Sequence, residues 1–179
     1  MAGEVAEGGG ATMLSASMDE IHPTIGTPAD WLRSATLGFV GGLRTVMPWA
    51  LVSAQLAREG PDIADGGPLV DLLATRRCAA VLALGALVEI GLDKTSIVPS
   101  RMEPLPLAGR IISAGAACAL ASLAEGRTSD TGALLGAFAG AIGSAAGYAF
   151  RTRLPVPGLV LALAEDALAF ALGRWAVEH

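Results

Sequence analysis

Long apolar runs without a polar face divide most of the chain into five segments. They cover roughly residues 35–57, 76–92, 107–124, 131–150 and 158–177. Alanine, leucine and glycine dominate them, and the strict alternation of apolar and polar residues that indicates a β-strand is absent. A bilayer core of about 30 Å requires roughly 20 helical residues, a length that three segments reach and two approach. The pattern predicts an all-α, polytopic membrane helical bundle with about five transmembrane helices.

The first thirty residues differ from the rest of the chain. They lack the basic start and the apolar core of a signal peptide. Their acidic residues are Glu4, Glu7, Asp19, Glu20 and Asp30. We therefore expect residues 1–30 to form a flexible acidic tail and residues 31–179 to form the transmembrane helical domain.

Composition favours a membrane protein over a soluble helical bundle. Hydrophobic residues make up 53% of the chain and charged residues 16%, whereas about a quarter of the residues of a soluble domain are charged. A soluble helix would also show a polar face, and residues 131–150 contain no charge. The expected partner is the lipid bilayer. The net charge of -5 argues against a nucleic-acid partner, which would require a basic patch.

Three charged residues lie near the middle of predicted spans. Arg44 is the only charge in its segment. Pro48 lies four residues after it and has no backbone N–H to donate to the Arg44 carbonyl. Glu165 and Asp166 lie near the middle of the last segment. A charge at the bilayer centre costs roughly 2.5–3.5 kcal/mol, so such residues face a partner or a cavity. Arg44 and the two carboxylates are candidate partners, either as a structural ion pair or as a site for substrate or protons.

A second group of charges ends the segment 76–92 in the stretch EIGLDKTSIVPSR. Glu89 and Asp93 are four residues apart and share a helix face. Lys94 and Arg101 follow in a proline-containing loop. These residues are candidates for binding a charged headgroup or an ion, and the alternative is that they only anchor the end of a helix.

Glycines at regular spacing mark one face of the segment 131–150. Such a face favours close helix crossing, either within the chain or between copies of it, and we expect a homo-oligomer to form through this segment. The glycines are Gly132, Gly136, Gly140, Gly143 and Gly147. A weak similarity between ALGALVEIGLD and LVLALAEDALA also fits an inverted repeat, an arrangement found in many transporters.

Cofactor and metal chemistry have little support in the sequence. Cys78 and Cys118 lack CxxC spacing, and His22 and His179 lie near the chain ends. We therefore expect neither a metal site nor a cofactor. Lysines and arginines divide six against five between the two sides of a five-span arrangement, so the positive-inside rule assigns no orientation.

Several motifs taken together resemble a known family. They are GLRTVMP, E-x-x-x-DK followed by PSR, a glycine-rich segment ending in GYxxR, and a central ED. In this order they are similar to domain-of-unknown-function family 4126, over roughly residues 32–175. The matching residues are Gly42 to Pro48, Glu89, Asp93, Lys94, Pro99 to Arg101, Gly140 to Arg151, and Glu165 with Asp166. The resemblance implies a small multi-pass protein of the bacterial cytoplasmic (inner) membrane and supplies no activity. The acidic tail lies outside it.

Two functions fit these observations. In the first, Arg44, Glu89, Asp93, Glu165 and Asp166 form the buried site of a small transporter or channel, and one carboxylate cycles its proton. Its substrate would be an ion or a small molecule. In the second, the protein is structural or accessory and the charges only specify helix assembly. An enzyme acting on lipid headgroups is the weakest alternative, because no metal motif, nucleophile–base pair or phosphate loop is present, and we predict no catalytic activity.

Overall fold

The computed structural model describes residues 26–59, 67–93 and 103–178, and these residues form seven helices and no strand. The predicted all-α class is confirmed. The acidic tail up to residue 25 lies outside the described residues, as do Lys94 and Arg101. The helices are α1 (Pro28–Leu43), α2 (Met47–Glu59), α3 (Pro68–Leu73), α4 (Arg76–Leu92), α5 (Pro104–Ala124), α6 (Ser129–Arg153) and α7 (Gly158–Glu178).

The first predicted segment forms a helical hairpin. Helix α1 ends at Leu43, and the backbone is extended at Arg44 before α2 begins. Leu37 of α1 and Leu56 of α2 belong to one buried cluster. Because these two residues would lie far apart along a continuous helix, α2 must run back toward the end of the bundle at which α1 begins. The prediction of one continuous helix over residues 35–57 is therefore wrong, since the break before Pro48 reverses the chain.

The other long helices alternate in direction around this hairpin. At the open end of the hairpin, Arg33 of α1 donates to the Ala176 carbonyl of α7 and to Glu125, which follows α5. At the tip end, Glu89 near the end of α4 and Arg110 near the start of α5 contact the hairpin turn. Helices α4 and α6 therefore run toward the tip end, whereas α5 and α7 run toward the open end. The antiparallel α4 and α7 carry the two similar stretches of sequence.

The glycine face of α6 packs inside the chain. Helix α6 lies against α1 and α5. A Cβ atom added at Gly136 would lie 2.6 Å from the Cβ of Cys118 in α5, and one added at Gly38 of α1 would lie 2.5 Å from the Gly136 carbonyl oxygen. Such distances leave no room for a side chain, so the helices touch backbone to backbone. Packing within the chain is one of the two alternatives given for this face, and the homo-oligomer expected through this segment stays a prediction.

The outer surface of the bundle is apolar while its interior holds charges. Arg44 and Glu165 are buried. Among the described helices, α5 and α6 are long and apolar enough by composition to cross a membrane. Large apolar side chains exposed on the other long helices include Val81, Leu84, Leu87, Val88, Leu159, Val160, Leu163, Leu168 and Phe170.

Candidate functional site

Arg44 lies at the hairpin tip and is surrounded by carboxylates. Its side chain is 1% exposed. Nη1 lies 2.8 Å from a carboxylate oxygen of Asp93 and 3.5 Å from one of Glu165. Nε donates to Oδ1 of Asp166 at 2.6 Å, and Nη2 pairs with the same oxygen. One guanidinium group thus joins the turn after α1 to the end of α4 and the middle of α7.

A second guanidinium group completes this arrangement. Arg151, near the end of α6, donates from Nε to Oε2 of Glu165 at 2.7 Å. Its Nη2 pairs with Oδ2 of Asp93, the oxygen that also faces Arg44. We call Arg44, Asp93, Arg151, Glu165 and Asp166 the ion cluster. Its three carboxylates and two arginines give it a formal charge of -1.

Glu89 binds the backbone of the hairpin turn. Its two carboxylate oxygens accept hydrogen bonds from the backbone N–H groups of Thr45 at 2.6 Å and Val46 at 2.8 Å. Free N–H groups at the start of a helix carry partial positive charge and attract a carboxylate. Glu89 therefore caps α2 from a neighbouring helix and fixes the position of the turn relative to α4.

The carbonyl groups at the end of α1 are also satisfied by side chains. Nη1 of Arg110 donates to the carbonyls of Gly42 at 3.2 Å and Leu43 at 3.3 Å. The Ser144 hydroxyl also donates to the Gly42 carbonyl at 3.1 Å. A cation is favourable at a helix C-terminus because the last carbonyls carry partial negative charge. The two helix ends that meet at the turn thus face side chains of opposite charge.

The ion cluster is closed on one side and open on the other. Side chains of Arg44 and Glu165 are almost fully buried, whereas 26% of the Arg151 side chain is exposed. Asp93 and Arg151 line a cleft of about 460 Å³ at the tip end, together with residues at the start of α7. A smaller apolar cavity of about 100 Å³ adjoins Glu165 between α1, α6 and α7. The Asp93–Arg151 edge of the cluster therefore borders a cleft.

Four of the sequence-predicted residues meet in the ion cluster: Arg44, Asp93, Glu165 and Asp166. Glu89 lies beside them but binds backbone. Lys94 and Arg101 lie outside the described residues. Sequence reasoning missed the role of Arg151, although the predicted buried cluster placed four carboxylates around Arg44 and so called for a second cation.

Arg110 was also missed as a site residue. It is the only charge in its apolar segment, as Arg44 is in the first one, and that isolation was the available signal. It donates to backbone carbonyls exposed by the helix break, and such acceptors cannot be located from sequence patterns.

Comparison with known proteins identifies no relative of this chain. No family model matches it, and neither does any curated protein or solved structure. Among the described residues, no group of three or more His, Cys, Asp or Glu side chains is arranged to hold a metal ion. The case for a function therefore depends on the ion cluster and on the surface around it.

Proposed function

We propose that this chain is a multi-pass integral membrane protein in which α4 to α7 cross the bilayer and the α1–α2 hairpin enters and leaves on one side. Helices of 21 to 25 residues are about 31–38 Å long, which suits a hydrocarbon core of about 30 Å. Helix α4 has 17 residues, the lower limit for a span. Non-helical backbone at membrane depth is tolerated where protein buries it, as it does at the hairpin turn.

The distribution of side chains supports this placement. A soluble protein rarely exposes such extensive apolar surface, and it seldom places a charge at its centre. Exposed Trp31 and Trp175 lie at the open end and exposed Tyr148 lies nearer the tip end, the positions that interfacial aromatic residues prefer. Membership of domain-of-unknown-function family 4126 and a location in the bacterial cytoplasmic membrane remain our proposals, carried by the sequence motifs.

For the activity, we propose transport of a small ion or charged solute, with the ion cluster as the site and one of its carboxylates as a proton carrier. The observation that carries this proposal is a buried group of carboxylates and arginines whose Asp93–Arg151 edge faces a cleft of about 460 Å³. Ionisable residues placed inside a membrane protein characteristically serve ion and proton pathways.

The cluster also offers a way to couple binding to helix movement. Arg151 belongs to α6, whereas its two carboxylate partners belong to α7 and to the end of α4. A proton on Glu165, or a cation at Asp93, competes with the Arg151 guanidinium and weakens its hold on these helices. A ligand shifts a conformational equilibrium when it binds one state better than another. Here the proton or cation would favour the state in which Arg151 no longer contacts Glu165 and Asp93.

Proton flux into proteoliposomes tests the proposal. Vesicles containing the pH dye pyranine and a potassium gradient are driven by valinomycin, and the rate of internal acidification is measured. We expect wild-type protein to accelerate acidification over protein-free vesicles, and Glu165→Gln to abolish this increase while keeping the circular dichroism and gel-filtration profile of the wild type. Asp71→Asn, which neutralises an exposed carboxylate on α3, is the matched control and should behave like the wild type.

A structural role is the second candidate, and the burial of Arg44 favours it. Its guanidinium fastens the hairpin to α4 and α7 with almost no contact to solvent. Under this role the wild type adds no proton flux, and Glu165→Gln reduces the yield of folded protein. Exchanging Arg44 and Glu165 would not separate the two roles, because a carboxylate at position 44 would face Asp93 and Asp166. We do not propose catalysis.

A further inference from the structure

A groove on the outer surface lies between α4 and α7. Helix α2 lies between them and forms the floor of the groove, because the hairpin places it against both. The groove has a volume of about 310 Å³. This is room for roughly ten water-sized groups at about 30 Å³ each, and a chain methylene is of similar size. Apolar residues lining it include Met47, Leu51, Ala83, Leu87, Ile90 and Phe170.

The groove becomes polar only at the open end of the hairpin. Arg58 at the end of α2 and Arg174 near the end of α7 line it there, together with Glu178. Both arginines pair with Glu178, yet their side chains remain 65% and 46% exposed. Among the described residues that line the groove, the two guanidinium groups share one carboxylate and keep donors for another anion. Gln55 also lines the groove and donates to Glu59. The groove is thus apolar along most of its length and cationic at the open end.

We propose that this groove binds one anionic phospholipid, with an acyl chain against α2 and the headgroup phosphate on Arg58 and Arg174. The inference rests on the proposed membrane placement, in which the open end lies at headgroup level. About 12 Å of α7 separates Phe170 from Glu178. The arginines therefore lie at the membrane–water interface, and the apolar part of the groove extends from them toward the bilayer centre. Arginine binds phosphate through paired N–H donors, which gives the headgroup a defined position.

Native mass spectrometry of protein released from mixed micelles tests the proposal. The protein is equilibrated with equal amounts of phosphatidylglycerol and phosphatidylcholine, and the ratio of the two retained lipids is measured. We expect the wild type to retain phosphatidylglycerol preferentially, and each of Arg58→Gln and Arg174→Gln to reduce the preference about fivefold, the effect of one arginine near an anionic headgroup. Arg153→Gln, which removes an exposed arginine at the tip end, should leave the ratio unchanged.

A steric variant separates this groove from general charge attraction. Ala83→Trp fills the channel from an exposed position on α4, and we expect it to lower retention of phosphatidylglycerol. Ala145→Trp, at an exposed position on α6, should not. Equal retention of both lipids by a wild type that reconstitutes into vesicles would overturn the lipid site, as would retention insensitive to Ala83→Trp. A wild type that does not enter vesicles would instead overturn the membrane placement.

Discussion

Replacing Arg44 by glutamine tests whether the ion cluster holds the hairpin in place. The guanidinium forms close contacts with Asp93 at 2.8 Å and Asp166 at 2.6 Å, each of the charge-assisted kind worth about 1.5–3 kcal/mol. Their sum of about 3–6 kcal/mol agrees with the 3–5 kcal/mol typical of breaking a buried ion pair by removing one partner. The formal charge of the cluster changes from -1 to -2. We therefore expect Arg44→Gln to lower the free energy of unfolding by about 3–5 kcal/mol. This is a large share of the total, because proteins are stable by only about 5–15 kcal/mol.

Unfolding in mixed micelles with increasing sodium dodecyl sulfate, followed by circular dichroism, measures this loss. A thermodynamic cycle with Asp166→Asn isolates the pair. The double variant restores the formal charge of -1, so its destabilisation should fall below the sum of the two single variants by about 1–3 kcal/mol. Arg153→Gln removes an exposed arginine and should change the free energy of unfolding by no more than about 0.5 kcal/mol.

Two results would refute this reasoning. If Arg44→Gln unfolds within about 1 kcal/mol of the wild type, the ion pairs do not fix the hairpin, since the charge-assisted bonds would contribute less than one such bond. If the single-variant effects of Arg44→Gln and Asp166→Asn simply add, the two side chains act independently despite their contact.

Three further predictions follow from individual contacts. Glu89→Gln leaves one backbone N–H at the hairpin turn without its acceptor, and we expect a loss of about 1–3 kcal/mol in the same unfolding assay, with faster amide exchange at the turn. Gly136→Ala forces a methyl group against Cys118 and should lower the free energy of unfolding by about 1–3 kcal/mol. Gly109→Ala, in open space on α5, should raise it by about 0.5–1 kcal/mol. Hydrogen bonds from the backbone N–H and hydroxyl of Thr27 lower the pKa of Asp30 from its ordinary 3.8, so its stabilisation is present above pH 3.8 and lost as the pH falls through the lowered pKa. Melting curves from about pH 6 to about pH 2 should therefore be less acid-sensitive for Asp30→Asn than for the wild type.

Sequence patterns were sufficient to locate the helices wherever one apolar segment forms one helix. Each of α4 to α7 begins and ends within three residues of its predicted segment, since apolar runs bounded by proline, glycine and charge locate helices well. The hairpin was missed because the loss of one hydrogen bond at Pro48 predicts a break without giving its angle. That angle is set by Glu89 and Arg110, which bind the two helix ends from other helices.

The candidate site was predicted in part for the same reason. Arg44, Glu165 and Asp166 were identifiable because a charge inside an apolar segment requires a partner wherever the helix packs. Arg151 was not, because it lies near the end of α6, where an arginine is ordinary in sequence. Its role appears only when α6 and α7 place it 2.7 Å from Glu165.

The position of Arg44 in the chain has a consequence for biosynthesis. Asp166 is 122 residues further along, so the ribosome makes this partner of Arg44 only when α7 emerges. Asp93, Glu89 and Arg110 are made earlier and can already bind Arg44 and the two helix ends. Domains form in the order in which they are synthesised, and contacts distant in sequence form late. The first apolar segment to be made therefore obtains its last contacts only when the final helix has been synthesised.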